Sequence, residues 1–325
     1  MSERTVSYTS FRDLIEQVAG IVDSDQKISN KELIEICKGC GGFDFNVDAH
    51  IYHEIAETAL NLLIQSKYGR DLLAATNPIE GVSTVLRPLQ KRLPTQTWRS
   101  ETQIVYQQFS TPVTIAYLAA YLLNIRQGEA VLEPSCGTGC LAVWAFAAGA
   151  KVIANEIDPR RRGSALALGF QPYSFDAEFI DDLLPEDLLP DIVLANPPFS
   201  STGGRVKNNS LDFGFRHIES ALRRLRKAGR FAVILGESGS PRSRNGNRFW
   251  EVLSPEIHVN ASIELPGREF YGNGTSVKTT LIIGTKPLSI DAPLSSELAA
   301  FPHIVAQSVE DAFEKAISSN FRFDQ

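Results

Sequence analysis

Val131-Leu132-Glu133-Pro134-Ser135-Cys136-Gly137-Thr138-Gly139 reads as a short apolar strand that runs into a glycine-rich turn and opens a helix. Glycines at such a turn let the backbone approach a ligand closely, which is how doubly wound folds hold a nucleotide at the carboxyl ends of their strands. Outward from this turn, from Glu129 onward, short β-rich runs alternate with helical stretches, the pattern of βα units around a mostly parallel sheet. Strands are expected over Ala130–Glu133, Lys151–Ile157, Gln171–Phe175, Asp191–Ala195, Arg230–Leu235, Ala261–Glu264 and Thr279–Gly284. Helices are expected over Leu141–Ala148, Pro159–Leu168, Leu211–Lys227 and Asn247–Val252. The last two strands follow each other without a helix, which predicts an antiparallel hairpin at the sheet edge. Residues 288–325 read as a loop with one helix around Val309–Ile317.

Toward the N-terminus the period changes to that of helices. Phe11, Leu14, Ile15 and Val18, then Leu33, Ile34 and Ile36, then Ile51, Ile55, Ala59, Leu60, Leu62 and Leu63 recur at helical spacing, and no strand pattern interrupts them. Residues 1–100 are therefore expected to be an all-helical accessory domain. Asn30 is expected to cap a helix beginning at Lys31, with Gly41-Gly42 as its stop, and Pro88 and Pro94 mark a loosened end. The chain of 325 residues is 43% hydrophobic and 22% charged, which excludes collagen-like and disordered classes. Its longest apolar stretches, Ile115–Leu123 and Cys140–Ala150, are too short to span a bilayer, and Met1–Ser10 is polar. No membrane partner is expected, and the cytoplasm is the expected compartment. Four cysteines are too few for a disulfide framework. Cys37 and Cys40 precede His50 and His53 in a superficial two-Cys, two-His order. The linking segment is shorter than in the usual finger and the His pair lies in an apolar-periodic run, so packing is the expected role and no metal is assigned.

Three signals carry chemistry. The spacing Gly137-Thr138-Gly139 departs from the dinucleotide pattern, and Glu133 at the strand end would repel a pyrophosphate but suits a ligand with an ammonium group. S-adenosylmethionine (SAM) carries such a group and no phosphate. Glu156, 17 residues after Gly139 at the end of the next strand, occupies the place from which an acid accepts bonds from both ribose hydroxyls. Helix capping is the competing reading, and it suits Asp158, ahead of Pro159, better than Glu156. The sharpest signal is Asn196-Pro197-Pro198-Phe199, directly after the buried-type strand ending at Ala195. An exocyclic amine is a poor nucleophile because its lone pair is delocalised into the ring. Two acceptors aimed at its N–H bonds, the Asn196 side-chain oxygen and the Pro197 carbonyl, would favour the tetrahedral nitrogen that attacks. Phe199 offers a ring for a base rotated out of a duplex.

These motifs resemble the SAM-dependent amino-methyltransferases of the N6-adenine DNA type, whose tetrapeptide is Asn/Asp/Ser-Pro-Pro-aromatic. The resemblance covers most of residues 106–286 and implies a class I (Rossmann-like) SAM methyltransferase fold, α/β with a seven-stranded mostly parallel sheet, over residues 101–287. It includes Gln108-Phe109-Ser110-Thr111-Pro112 ahead of the glycine-rich loop, the segment that in such enzymes closes over the methionine end of the cofactor. That order is the one found in γ-type DNA enzymes and type I modification subunits. The resemblance implies a cofactor set of Gln108, Phe109, Thr111, Pro112, Glu133, Ser135, Gly137, Gly139, Glu156, Ile157 and Asn196, plus an acid after the third strand. Asp176, Asp181 and Asp182 all qualify for that last place; Asp176 is preferred because it directly ends Tyr173-Ser174-Phe175, and Asp182 stands second. Phe270-Tyr271 in the run to Thr280 looks like the target-base wall, with either ring as the candidate. The run Pro94–Glu101, leading into Gln107–Pro112, looks closer still to the methyltransferase part of bacterial proteins associated with strawberry-notch-type helicases.

The charge pattern bears on the partner. In a chain of net charge -6, residues 201–250 carry 11 Lys and Arg against 3 Asp and Glu. A basic window of this kind reads as a local phosphate-facing surface, with a solvated helix face as the alternative. Arg223–Lys227 belong to a helix, so the loop set Arg242, Arg244 and Arg248 is favoured as the DNA contact. Residues 288–325 are shorter than the target-recognition domain that γ-type enzymes append, so recognition is expected from the N-terminal helices or from a helicase or specificity subunit, or else to be weak. The same tetrapeptide also serves RNA and protein-glutamine methyltransferases, which usually lack the Gln108–Pro112 segment. A partner-dependent, non-catalytic DNA-binding subunit is the reading from outside the enzyme class.

Overall fold

The computed structural model describes residues 8–39, 51–95, 110–198, 212–274, 276–288 and 301–323. Short runs of aliphatic residues form the centre of a seven-stranded sheet in the order β2-β1-β3-β4-β6-β5-β7. The strands are β1 Ala130–Glu133, β2 Lys151–Ala154, β3 Ile192–Ala195, β4 Arg230–Gly236, β5 His258–Leu265, β6 Thr279–Thr285 and β7 His303–Val305. β1 to β4 run parallel, β6 is antiparallel to both β4 and β5, and β7 pairs parallel with β5. All four residues of β3 are buried, and they alternate between two cores: Ile192 and Leu194 face one, Val193 and Ala195 the other. Burial on both faces is why these strands read as continuous apolar runs rather than as alternation.

The first core is covered by helices from both ends of the chain. These are α1 Tyr8–Asp23, α2 Asn30–Gly39, α3 Ile51–Leu63, α4 Gly69–Ala74, α5 Pro78–Gly81, α6 Arg87–Arg92, α7 Val113–Leu123, α8 Ala142–Ala147 and α9 Pro159–Ala167. α7 is buried at all eleven positions, as a helix apolar on every side must be. The second core is covered by α10 Ile180–Leu183, α11 Asp212–Arg224 and α12 Arg244–Leu253. α13, Val309–Ser318, returns to the first core, where Phe313 lies 5.1 Å from the Tyr117 ring and 5.5 Å from that of Tyr121. Beyond it, the Phe323 amide donates to the Leu122 carbonyl and Asn124 Nδ2 donates to the Phe323 carbonyl. Gly69 lets the N-terminal helices seat on the sheet layer, since a Cβ there would stand 2.7 Å from Ala147 Cβ. No helix among the described residues is long and apolar enough to cross a membrane.

Several expectations need correction. Gln171–Phe175 is not a strand: it is reduced to one parallel bridge between Asn155 and Tyr173. A side chain replaces the ladder there, with Asn155 Nδ2 donating to the Pro134 and Phe175 carbonyls and Oδ1 accepting from the Phe175 amide. β2 likewise stops at Ala154 rather than Ile157, because Glu156 bends away to meet the glycine-rich turn. The β5–β6 hairpin forms, but it is not the sheet edge, since β7 adds outside β5 in a segment expected to hold only a loop and a helix. Ser29, not Asn30, caps α2: its hydroxyl accepts from the Glu32 amide while the Glu32 carboxylate accepts from the Ser29 amide, a reciprocal capping box. Pro88 sits near the start of α6, which continues directly from the π-helical turn Val82–Leu86, so the chain stays helical through it to Arg92 rather than loosening there. Cys40, Gly41-Gly42 and His50 lie outside the described residues.

Candidate functional site

The strand order reverses between β1 and β3, so the crevice at their carboxyl ends is where such a sheet receives a ligand. Asn196 follows β3 directly and Glu133 ends β1. Asn196 Nδ2 donates to Thr111 Oγ1 at 2.8 Å, which fixes the amide with its oxygen turned away from Thr111. That oxygen, Oδ1, is buried and has no hydrogen-bond partner among the described residues. A buried acceptor left this way carries a desolvation penalty that a hydrogen-bond donor entering the crevice removes. Glu133 presents the same condition, being 3% exposed with Oε2 unpartnered among the described residues. Burial pushes its carboxyl well above the ordinary range, against the bond it accepts from the Ala142 amide. Pro197 is buried and Pro198 half-buried beside it, and a Cβ on Gly214 of α11 would approach the Pro198 carbonyl to 3.2 Å.

Gly137 and Gly139 both hold positive φ, 55° and 87°, a region that favours glycine. They differ in what crowds them. A Cβ on Gly139 would meet Leu168 Cδ1 at 2.8 Å, whereas one on Gly137 would meet Arg161 Nη2 at 2.5 Å. The Gly137 amide donates to Glu156 Oε2 at 2.7 Å, and the Asp158 amide donates to Glu156 Oε1 at 2.9 Å. Glu156 is thus buried and oriented by two backbone donors, while Asp158 caps α9 through the Arg160 amide. Ile157, beside them, is 55% exposed and offers an apolar surface at the mouth.

Of the candidate acids after the bridge, Asp176 caps the turn Ala177–Phe179 through the Glu178 amide and stays exposed. Asp181 is committed elsewhere, accepting from Ser220 Oγ at 2.6 Å and pairing with Arg223 at 3.3 Å, and Asp182 is exposed. Ser135 Oγ lies 3.4 Å from Nδ1 of His217, a buried imidazole whose pKa burial lowers to about 4. Thr111 and Pro112 are both buried. Phe270 is fully buried in the first core and cannot stack on a ligand, whereas Tyr271 is 69% exposed. Both rings belong to the 3-10 turn Gly267–Asn273. Gln108, Phe109 and Phe199 lie outside the described residues.

Several residues join the site that sequence reasoning did not find. Arg161 of α9 is 8% exposed and donates from Nη2 to Ser110 Oγ at 3.3 Å. Glu54, on α3, pairs with Arg160 at 3.1 Å and lies 3.9 Å from Arg161 Nε; burial raises its pKa to about 7 despite both cations. Asn155 and His217 complete the set. The available signal was a run of charged or polar residues, His53, Glu54 and Glu57, inside an otherwise apolar helix, which a tally of apolar periodicity overlooks. His53 itself is buried on α3, its pKa lowered by burial to about 4, and Cys37 is buried on α2.

The basic window divides. Arg216 pairs with Glu178 at 3.4 Å, Arg223 with Asp181 and with Glu219 at 2.6 Å, and Arg226 with Asp191. Arg242, Arg244 and Arg248 are exposed and form no ion pair among the described residues.

No family model matches the chain. Among solved structures, a Listeria monocytogenes protein assigned to the class I SAM-dependent methyltransferases aligns over 97% of this chain and 98% of its own, with a TM-score of 0.55 at 15% identity. The methyltransferase subunit of a type I restriction-modification system from Streptococcus thermophilus aligns over 95% of this chain and 78% of its own, with a TM-score of 0.50 at 18% identity. The shared feature is the fold: this chain has the class I, Rossmann-like methyltransferase architecture with an N-terminal helical part.

Proposed function

We propose that this chain, built on the class I methyltransferase fold, transfers the methyl group of SAM to the N6 amine of adenine in DNA. The observation that carries the reading is the Asn196 amide, held by Thr111 with its oxygen buried and unpartnered at the carboxyl end of β3. An acceptor so placed engages an amine N–H and draws the nitrogen lone pair out of conjugation, without itself taking the proton. The residues around the crevice fit a cationic cofactor. Glu54, Glu57, Glu133, Glu156 and Asp158 outnumber Arg160, Arg161 and Arg162, and Glu133 keeps a buried oxygen for an N–H donor. SAM supplies an electrophilic methyl group on a cationic sulfur. Glu133 and Ser135 would hold its amino-acid and glycine-loop side, Glu156 its ribose and Asp176 its adenine amine, with Gly137, Gly139, Thr111, Pro112 and Ile157 shaping the pocket. Gln108 and Phe109 belong to the same proposed set. Tyr271 would face the target base, together with Phe199.

DNA as substrate is supported by the exposed Arg242, Arg244 and Arg248, which meet no carboxylate among the described residues, and by the order of the motifs. A specificity subunit or a helicase is the proposed partner, in line with the type I restriction-modification assignment of the Streptococcus thermophilus structure. The test is incubation with SAM and, separately, duplex DNA, single-stranded DNA and RNA, followed by mass spectrometry of the digested nucleosides. N6-methyladenine is expected from DNA alone. Asn196→Ala should lower turnover by about a hundredfold or more while SAM affinity changes less than about threefold, as removal of one transition-state acceptor predicts. Methylated RNA, or unchanged turnover in Asn196→Ala, overturns the reading.

A further inference from the structure

Between α3 and the glycine-rich turn lies a cavity of about 80 Å³ that shares Thr111 with the cofactor set above and brings α3 to its wall. Its lining includes Glu57 and Asn61 from α3, Thr111, Thr138 and Cys140 from the sheet layer, and Asn273 from the 3-10 turn. The wall is mixed, with Leu60, Leu93 and Val113 among its apolar members, and the polar groups named come from four separate stretches of chain. Asn61 Nδ2 donates to the Thr138 carbonyl at 2.9 Å and so closes the floor. Glu57 accepts from Ser110 Oγ with one oxygen and from Asn273 Nδ2 at 3.2 Å with the other. The Thr138 side chain donates to it as well, so of the four acceptor sites on the two carboxylate oxygens one is left for a further donor.

The cavity adjoins the reaction centre, because Thr111 both lines it and holds the Asn196 amide. Its charge is unbalanced. Burial, with the Glu133 and Glu57 carboxylates nearby, pushes the Cys140 thiol upward. The Arg161 guanidinium near Glu57 is already engaged with Ser110 and Glu54. Glu57 is half-buried, and the loss of solvent raises its carboxyl. Glu133 contributes an independent sign of a missing donor, its unpartnered and buried Oε2.

We propose that this cavity receives the charged amino-acid end of the cofactor, with Glu57 as an acceptor for its α-ammonium group, so that the N-terminal helices form part of the cofactor site itself. The inference rests on the SAM reading above. It gives the helical segment a chemical role in addition to any in recognition. It also links two events, since the carboxylate that would meet the ammonium also holds Asn273, at the end of the segment that carries Tyr271.

The test compares two probes by calorimetry: S-adenosylhomocysteine, which keeps the ammonium, and 5′-methylthioadenosine, which lacks the amino-acid end. In Glu57→Gln, affinity for the first should fall about tenfold or more, as expected when a charge-assisted bond is removed, while affinity for the second stays within about twofold. Retained binding of the second probe also reports that the variant is folded. Glu57→Asp, which keeps the charge, should recover part of the affinity. On the unaltered chain, the analogue of S-adenosylhomocysteine with a keto oxygen in place of the ammonium should bind about tenfold more weakly. Equal weakening of both probes, unchanged affinity for the first, or equal binding of the keto analogue overturns the proposal. Binding of neither probe by the unaltered chain overturns the cofactor reading, and this inference with it.

Discussion

Phe270 and Tyr271 are adjacent, both aromatic, and opposite in fate: one ring is fully buried in the core and the next is 69% exposed. Phe270→Ala should therefore cost about 3–5 kcal/mol of stability, the usual effect for a buried phenylalanine, seen as a lower urea midpoint. Tyr271→Ala should leave that midpoint nearly unchanged and raise the KM for nucleic acid instead. The sequence could not separate the two, because a 3-10 turn has neither the period of a helix nor that of a strand. Asn196 was legible for the opposite reason, as its tetrapeptide is rare and stands at the end of an unmistakable strand. What was not legible was its neighbour's service: Thr111, 85 residues earlier, holds the amide across the crevice. Pairings at that separation leave no mark in local pattern, and the same holds for Glu54 beside Arg160.

At the level of elements, the basic residues separate by what surrounds them. On α11 and just after it, Arg216, Arg223 and Arg226 meet carboxylates, whereas Arg242, Arg244 and Arg248 around the start of α12 meet none among the described residues. Replacing the three by Gln should weaken DNA binding and reduce the slope of log K against log salt by up to about 3, near one unit for each phosphate no longer neutralised. The change Arg223→Gln should leave both almost untouched; fluorescence anisotropy over a salt series measures each. Strands β1, β3, β4 and β6 were readable because each carries an unbroken apolar run, as strands buried on both faces do: Ala130–Leu132, Ile192–Ala195, Phe231–Leu235 and Leu281–Ile283. β7 was not, since three residues, His303–Val305, are too few to declare a period. The segment 171–175 misled because its β-like composition serves a backbone held by the Asn155 amide, not by a ladder.

Taken whole, the molecule buries groups whose protonation opposes folding in different directions. His53 and His217 have pKa values lowered to about 4, so between about pH 4 and 6.5 the unfolded chain binds protons that the folded chain does not, and stability rises with pH. Glu54, raised to about 7, binds its proton in the folded chain first, so between about pH 4.5 and 7 it makes stability fall. Urea titrations should show the rise from pH 4 to 6.5 reduced by up to about 3 kcal/mol in His217→Asn, and a steeper rise between about pH 4.5 and 7 in Glu54→Gln. The core itself joins distant parts of the chain. Tyr117 of α7 stacks on Trp144 at 4.8 Å on one side and meets Phe313 on the other, and Arg87 of α6 pairs with Glu310 at 3.0 Å. During synthesis, residues 301–323 leave the ribosome long after α7 does. Until then the aromatic flank of a helix buried at every position stands open to water, so a chain interrupted before α13 presents chaperones and proteases with a sticky surface, however complete its first four strands.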